Sequence, residues 1–193
     1  IKSLVAIVPA VIPMLLLMIP ALLTSLAVVR EKELGSIINL YVTPVSKLEF
    51  LLGKQVPYIL TSFVSFILLV LMAVYFFKVP LKGDVFAFAI IALLFVTFST
   101  SFGLLASVFT NSQIAAILLT TIGTMVPAVQ FAGMFTPVSA LEGAGKIIGE
   151  MHPISYFLLA SRGIFSKGLG FGSLDFAVYA IAISIPITLW LSV

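Results

Sequence analysis

Charge is absent from four long stretches of this sequence: residues 3–29 (27 residues), 55–77 (23), 85–141 (57) and 176–193 (18). A helix that crosses a hydrocarbon core of about 30 Å needs about 20 apolar residues. The 57-residue run is therefore too long for one crossing and fits two. The polar cluster Thr110-Asn111-Ser112-Gln113 is the break that leaves both halves long enough. Five spans follow, at about 3–29, 55–77, 85–109, 113–134 and 173–193, and the fold class is an all-α polytopic membrane bundle. Composition agrees: 62% of the 193 residues are hydrophobic and 9% charged, where a soluble domain carries roughly 25% charged residues. Pro9, Pro13 and Pro20 kink or tilt the first span. That span is too long for a signal-peptide core, and no small-residue cleavage site follows it.

Two segments between the spans are not ordinary loops. In 30–43, Leu34, Ile37, Ile38 and Tyr41 recur at i, i+3, i+4 and i+7, which is one helix face. Glu31, Lys32, Gly35, Ser36 and Asn39 occupy the other side. The spacing predicts a short amphipathic helix on the membrane surface, with acids in its first turn and Pro44 as its stop. Such a helix either links two spans or meets a partner. The second segment, 137–168, alternates apolar stretches with Pro137, Pro153, Gly163 and Gly168. It is too broken to span and too apolar for a free aqueous loop. A re-entrant or interfacial helical hairpin, its second helix bounded by Pro153 and Gly163, satisfies the backbone at membrane depth.

Chemistry-bearing motifs are sparse. The chain has no cysteine and one histidine, His152, so neither a thiolate nor a histidine-cluster metal site is expected. A phosphate loop needs glycine five positions before a Gly-Lys pair and a hydroxyl after it. Gly53-Lys54 has Leu48 and Gln55 in those places, and Gly145-Lys146 has Ala140 and Ile147. The chain is expected to hold no cofactor and to hydrolyse no ATP itself. Its net charge of +3 is spread over loops and forms no concentrated patch for nucleic acid. No acid or base lies inside a span, which argues against an ion-coupled carrier. The spans instead hold small and hydroxyl residues: Thr97, Ser99, Thr100, Ser101 and Gly103 in one, Thr120, Thr121, Gly123 and Thr124 in the next. These serve either close helix packing or a substrate pathway, for which Thr97, Ser101, Thr124 and Gln130 are the candidates. Gln130, three residues after Pro127, is read as the most polar side chain in any span.

The stretch Val29-Arg30-Glu31-Lys32-Glu33-Leu34-Gly35-Ser36, followed by Leu40, Thr43-Pro44, Gly53-Lys54 and Pro57-Tyr58, resembles the permease subunit of type-2 ATP-binding-cassette exporters. Pro153-Ile154-Ser155-Tyr156-Phe157 with Arg162-Gly163-Ile164-Phe165 and Lys167-Gly168 looks like that family's extracellular hairpin before the last span. The resemblance covers essentially the whole chain. Ser36 stands where the family usually has threonine and keeps the hydroxyl. Arg30 to Leu51, with Ser112-Gln113-Ile114-Ala115-Ala116-Ile117, is similar to the branch in which a permease is fused behind two ATPase cassettes, the ribosome-associated ATPase.

The resemblance implies a cell-membrane permease working by alternating access with a second permease unit. ATP and magnesium would be held on separate or fused ATPase domains. Arg30, Glu31, Lys32, Glu33, Gly35 and Ser36 would form the coupling helix that docks those domains. Pro153, Arg162 and Gly163 would shape the hairpin. Family permeases have six spans, so five imply the C-terminal part of a longer chain. The implied topology puts four bases (Arg30, Lys32, Lys47, Lys54) inside and six (Lys2, Lys78, Lys82, Lys146, Arg162, Lys167) outside, against the positive-inside rule. The alternatives to a transporter are a non-transporting membrane anchor or assembly module and, fitting less well, a channel or secondary carrier.

Overall fold

The long uncharged stretches become long helices. A computed structural model of the chain describes residues 2–35, 46–133 and 138–192, with backbone alone for 2–6, 47 and 171. Every element among these residues is helical: α1 (Lys2–Glu33), α2 (Lys47–Leu71), α3 (Val85–Val108), α4 (Gln113–Val126), α5 (Ala144–Met151), α6 (Pro153–Arg162) and α7 (Asp175–Ser192). π-helical turns extend α2 over Met72–Phe76, α4 over Pro127–Phe131 and α6 over Gly163–Lys167. Among the described residues, five segments are long and apolar enough to cross a membrane: Ile7–Glu33, Leu48–Phe76, Val85–Val108, Gln113–Phe131 and Asp175–Ser192. The chain is a multi-pass membrane protein.

α3 is the centre of the bundle, in contact with every other long helix. Its sequence is apolar on all sides, as a helix enclosed by protein requires, and Phe88, Ile91, Phe95, Val96 and Leu104 are fully buried. Small residues let α1 approach it. A Cβ at Gly103 would overlap the Ala21 carbonyl oxygen and Thr24 Oγ1, and Ser99 Oγ donates to the Leu17 carbonyl at 2.5 Å. Around this pair an aromatic column joins α2, α3 and α6. Phe157 stacks on Phe95 at 4.3 Å and on Phe88 at 5.8 Å, and Phe88 meets Phe66 and Phe165 edge-on.

The prolines of α1 are accommodated by neighbours. Pro13 has no N–H to give the carbonyl four residues back, that of Pro9. Ser161 Oγ of α6 supplies the missing donor at 2.7 Å. α2, α4 and α7 enclose α1 and α3 and turn large apolar side chains outward, among them Leu60, Leu68, Ile114, Leu118, Ile122, Ile183 and Trp190. In a bilayer these face lipid or a second protein.

The segment expected as one amphipathic helix over 30–43 begins otherwise. Arg30 to Glu33 are the last turn of α1, and Leu34 and Gly35 form a turn. Gly35, at φ +71°, ends the helix in the left-handed conformation that glycine adopts without strain, and its N–H closes on the Lys32 carbonyl. The remainder, 36–43, lies outside the described residues, as does Pro137 of the expected hairpin. The described part of that hairpin consists of α5, α6 and the π-turn. Pro153 is the first residue of α6, and Gly163 is where its α-helical hydrogen bonding gives way to π.

Candidate functional site

Four helix ends and one connection meet at one end of the bundle, here called the joint end. The C-terminus of α1, the N-terminus of α2, the C-terminus of α3 and the N-terminus of α4 lie together there. Val28, Leu51 and Leu104 pack beneath them against Leu189 from the end of α7. α1 ends and α2 begins at this place.

Three consecutive side chains of α1 each reach a different helix. The Glu31 carboxylate pairs with the Lys54 ammonium of α2, both partly buried. Lys32 Nζ donates to the Ser107 carbonyl at 2.5 Å and the Thr110 carbonyl at 3.3 Å. These lie at the C-terminus of α3, where carbonyls lack helical partners and the helix dipole is negative. Glu33 accepts from the backbone N–H of Gln113 at 2.8 Å and from its side-chain amide. Gln113 opens α4, where orphan N–H groups and the positive dipole end favour a carboxylate. Charge sign and helix polarity therefore agree at both contacts. Ser112 caps α4 as well, accepting from Ala115 N.

α2 begins with its own capping box: Ser46 Oγ accepts from Glu49 N, and the Glu49 carboxylate accepts from Ser46 N at 2.8 Å. The motif Ser46-Lys47-Leu48-Glu49 is a sequence signature of a helix start. It places the beginning of α2 eight residues before the expected span at Gln55. Gln55 is consequently inside the bundle, 1% exposed. Its amide nitrogen donates within 3.0 Å of the Thr97 carbonyl, Thr100 Oγ1 and Ser101 Oγ. Outside this seam, Glu49, Phe50, Gly53, Lys54, Pro57 and Tyr58 line a surface groove of about 380 Å³ on α2.

The structure separates the residues proposed for a pathway. Thr97 and Ser101 come together at the α2–α3 seam as partners of Gln55. Thr124 is buried and bonds back to the Thr120 carbonyl at 2.8 Å. Gln130 is exposed on the π-turn after α4, at the opposite, hairpin end. Of the residues proposed for docking, Arg30 is exposed, Glu31 to Glu33 are engaged within the chain, and Ser36 lies outside the described residues. Their carboxylates and ammonium are therefore not the free charges expected from periodicity. Helix 30–43 was drawn as an independent element, whereas its first turn belongs to α1. Sequence reading missed Gln55, Lys54 and Gln113 as partners. The capping box was the available signal for Gln55; nothing local marks the other two.

At the hairpin end, Arg162 Nη1 donates to the Gly133 carbonyl at 2.9 Å. A Cβ at Gly163 would overlap the Leu169 side chain. His152 caps α6, its Nδ1 accepting from Ile154 N at 3.3 Å, and meets the Phe98 ring edge-on at 6.0 Å. Burial pushes its pKa down to about 4, so the ring is neutral near pH 7. Among the described residues, no group of three His, Asp or Glu side chains is placed to hold a metal ion.

Comparison with known proteins gives this geometry a family. The model for "ABC-2 family transporter protein" matches residues 2–193. The "Probable multidrug ABC transporter permease YbhS" of Escherichia coli (strain K12) is 27% identical over 162 residues, 84% of this chain and 43% of that protein. The corresponding YbhR is 25% identical over 161 residues, covering 83% and 44%. "ABC transporter G family member 23" of Dictyostelium discoideum is 29% identical over 147 residues, covering 76% and 21%. The chain thus spans less than half the length of these relatives. No solved structure matches it.

Proposed function

Because the chain belongs to the ABC-2 family of transporter proteins, we propose that this permease component is driven by ATPase domains docking on the connection between α1 and α2. The observation that carries the reading is the joint: the connection between α1 and α2 starts and ends where α1 is tied to α2, α3 and α4 at once. A push on that connection would reach four spans without crossing the apolar core. ATP and magnesium would reside on the ATPase domains, and a second permease unit would complete the pathway. The groove beside Lys54 is on the same end and offers a partner an ammonium, a carboxylate and two aromatic rings.

The cargo path would run along the exposed face of α4, where Gln130 is a polar amide on a lipid-length apolar segment. An apolar face with one amide suits amphipathic organic molecules moved outward. YbhS and YbhR are themselves described as probable multidrug permeases.

Gly35 provides the test. Gly35→Trp adds bulk to the connection, and Gly35→Asn keeps the left-handed turn, which asparagine tolerates. In the full transporter the Trp variant should insert normally but fail to co-purify with its ATPase, while the Asn variant assembles. Normal assembly and cargo-stimulated ATP hydrolysis with Gly35→Trp would overturn the docking assignment.

A further inference from the structure

The three contacts of the joint are not equivalent. Glu31 and Lys32 are partly buried and hold α2 and the end of α3, helices that also share Gln55 and its seam. Glu33 is exposed, and its bond to Gln113 is open to water, so it breaks with little input. Apart from this contact, the side-chain hydrogen bonds found for α4 among the described residues stay within the helix and its cap. Its buried face against the bundle is small: Ala116, Thr120 and Thr124. Thr120 Oγ1 on α4 and Ser25 Oγ on α1 are both buried without a hydrogen-bond partner among the described residues. A buried hydroxyl left unpaired is unfavourable, so α4, through Thr120, is not at its hydrogen-bonding optimum in this position. A small-residue face, an unpaired buried hydroxyl and an exposed tether together describe a helix with a second place to go.

We propose that the Glu33–Gln113 contact is a releasable tether holding α4 in its resting position, and that the ATP-driven state breaks it while Glu31–Lys54 stays made. This rests on the docking reading above and adds which contact yields. Glu33 is a positioning residue: it touches neither ATP nor cargo. Release would uncap the first turn of α4 and let that helix shift on α1. The Pro127–Phe131 turn at its far end would absorb the movement, since π-turns mark places where helix geometry is locally irregular.

The chain has no cysteines, which makes the test direct. In the full transporter with its ATPase, the pair Arg30→Cys with Ile117→Cys, exposed one helical turn in from the tether on α1 and α4 and leaving Glu33 and Gln113 intact, is compared with Glu31→Cys with Lys54→Cys. Each is treated with a short bis-maleimide, without nucleotide and after trapping with ATP and vanadate. Cross-linking of the 30–117 pair should fall at least fivefold on trapping, and that of the 31–54 pair should stay within twofold. Equal cross-linking of 30–117 in both states overturns the tether. So does an equal fall in both pairs, which would mean that the whole joint opens. Glu33→Gln provides a second reading without cross-linking: basal ATP hydrolysis should rise at least twofold, because the resting position is no longer held, and an unchanged rate contradicts the proposal. If the unmodified chain does not assemble with its ATPase, the docking reading itself fails and the tether falls with it. Assembly with unchanged cross-linking removes the tether alone.

Discussion

The two ends of the bundle are joined in opposite ways. At the joint end, charged and amide side chains reach across to helix termini: Glu31 to Lys54, Lys32 to the carbonyls of Ser107 and Thr110, Glu33 to Gln113. At the hairpin end the backbone itself makes the connection. Gly83 N donates to the Ile164 carbonyl at 2.9 Å and Asp84 N to that of Leu169 at 3.3 Å. A Cβ at Gly83 would stand 2.7 Å from the Leu169 carbonyl oxygen, and one at Gly149 would stand 2.5 Å from that of Phe131. Side-chain ties can be remade after a shift of a few ångströms. Backbone ties through glycine, braced by stacked phenylalanines, cannot be remade without repacking a core at near-crystalline density. One end is suited to receive motion and the other to hold the spans together while it happens.

If that contrast is right, substitutions at the hairpin end should cost stability and those at the joint should cost coupling. The largest stability loss is expected for Phe157→Ala, which removes a fully buried ring from between Phe88 and Phe95. The expected cost is about 3–5 kcal/mol, read as a lowered melting temperature of the purified chain in detergent. Gly83→Ala follows at about 1–3 kcal/mol, because the new Cβ meets backbone that cannot swing aside. An equal loss from a joint-end substitution such as Lys32→Met would break the comparison.

Acid should act at the hairpin end through His152. Its folded pKa of about 4 lies below the ordinary 6.5, so between those values the unfolded chain binds more protons than the folded one. Stability from this group is complete above pH 6.5 and is lost as pH falls toward 4. The effect is about 1–2 kcal/mol after allowance for the ring's partial exposure. His152→Asn keeps a cap acceptor for Ile154 N and should flatten the melting temperature over that pH range. A slope unchanged by the substitution would place the acid response elsewhere. The smallest stability effect is expected for Glu31→Gln, about 0–1 kcal/mol for a partly exposed pair, accompanied by weaker coupling of ATP hydrolysis to transport.

How much of this could be read from the residues follows from which forces act locally. Hydrophobic runs determine spans, and the polar break at 110–113 covers most of the gap between α3, ending at Val108, and α4, starting at Gln113. The proline and glycine that bound α6 were legible because their backbone restrictions are properties of single residues. The end of α1 was not. Arg30 to Lys32 continue a helix as readily as they begin one, and the choice is made by Lys54, Ser107 and Gln113, which are 23 to 80 residues away. Gly35 is expected inside a helix running on to residue 43, whereas its φ of +71° marks the end of α1. Gln55 was masked by its place at the edge of an uncharged run: only the capping box upstream reveals that a full two turns of helix precede it.

The central claim, that ATPase domains meet this permease on the α1–α2 connection, is tested most directly by single-cysteine cross-linking in the assembled full-length transporter. Leu34→Cys at the joint end and Asp84→Cys at the hairpin end differ by the thickness of the bundle, and both side chains are exposed. With a short thiol-reactive photocross-linker, Leu34→Cys should capture the ATPase and Asp84→Cys should not. Capture from Asp84→Cys with none from Leu34→Cys would contradict the account.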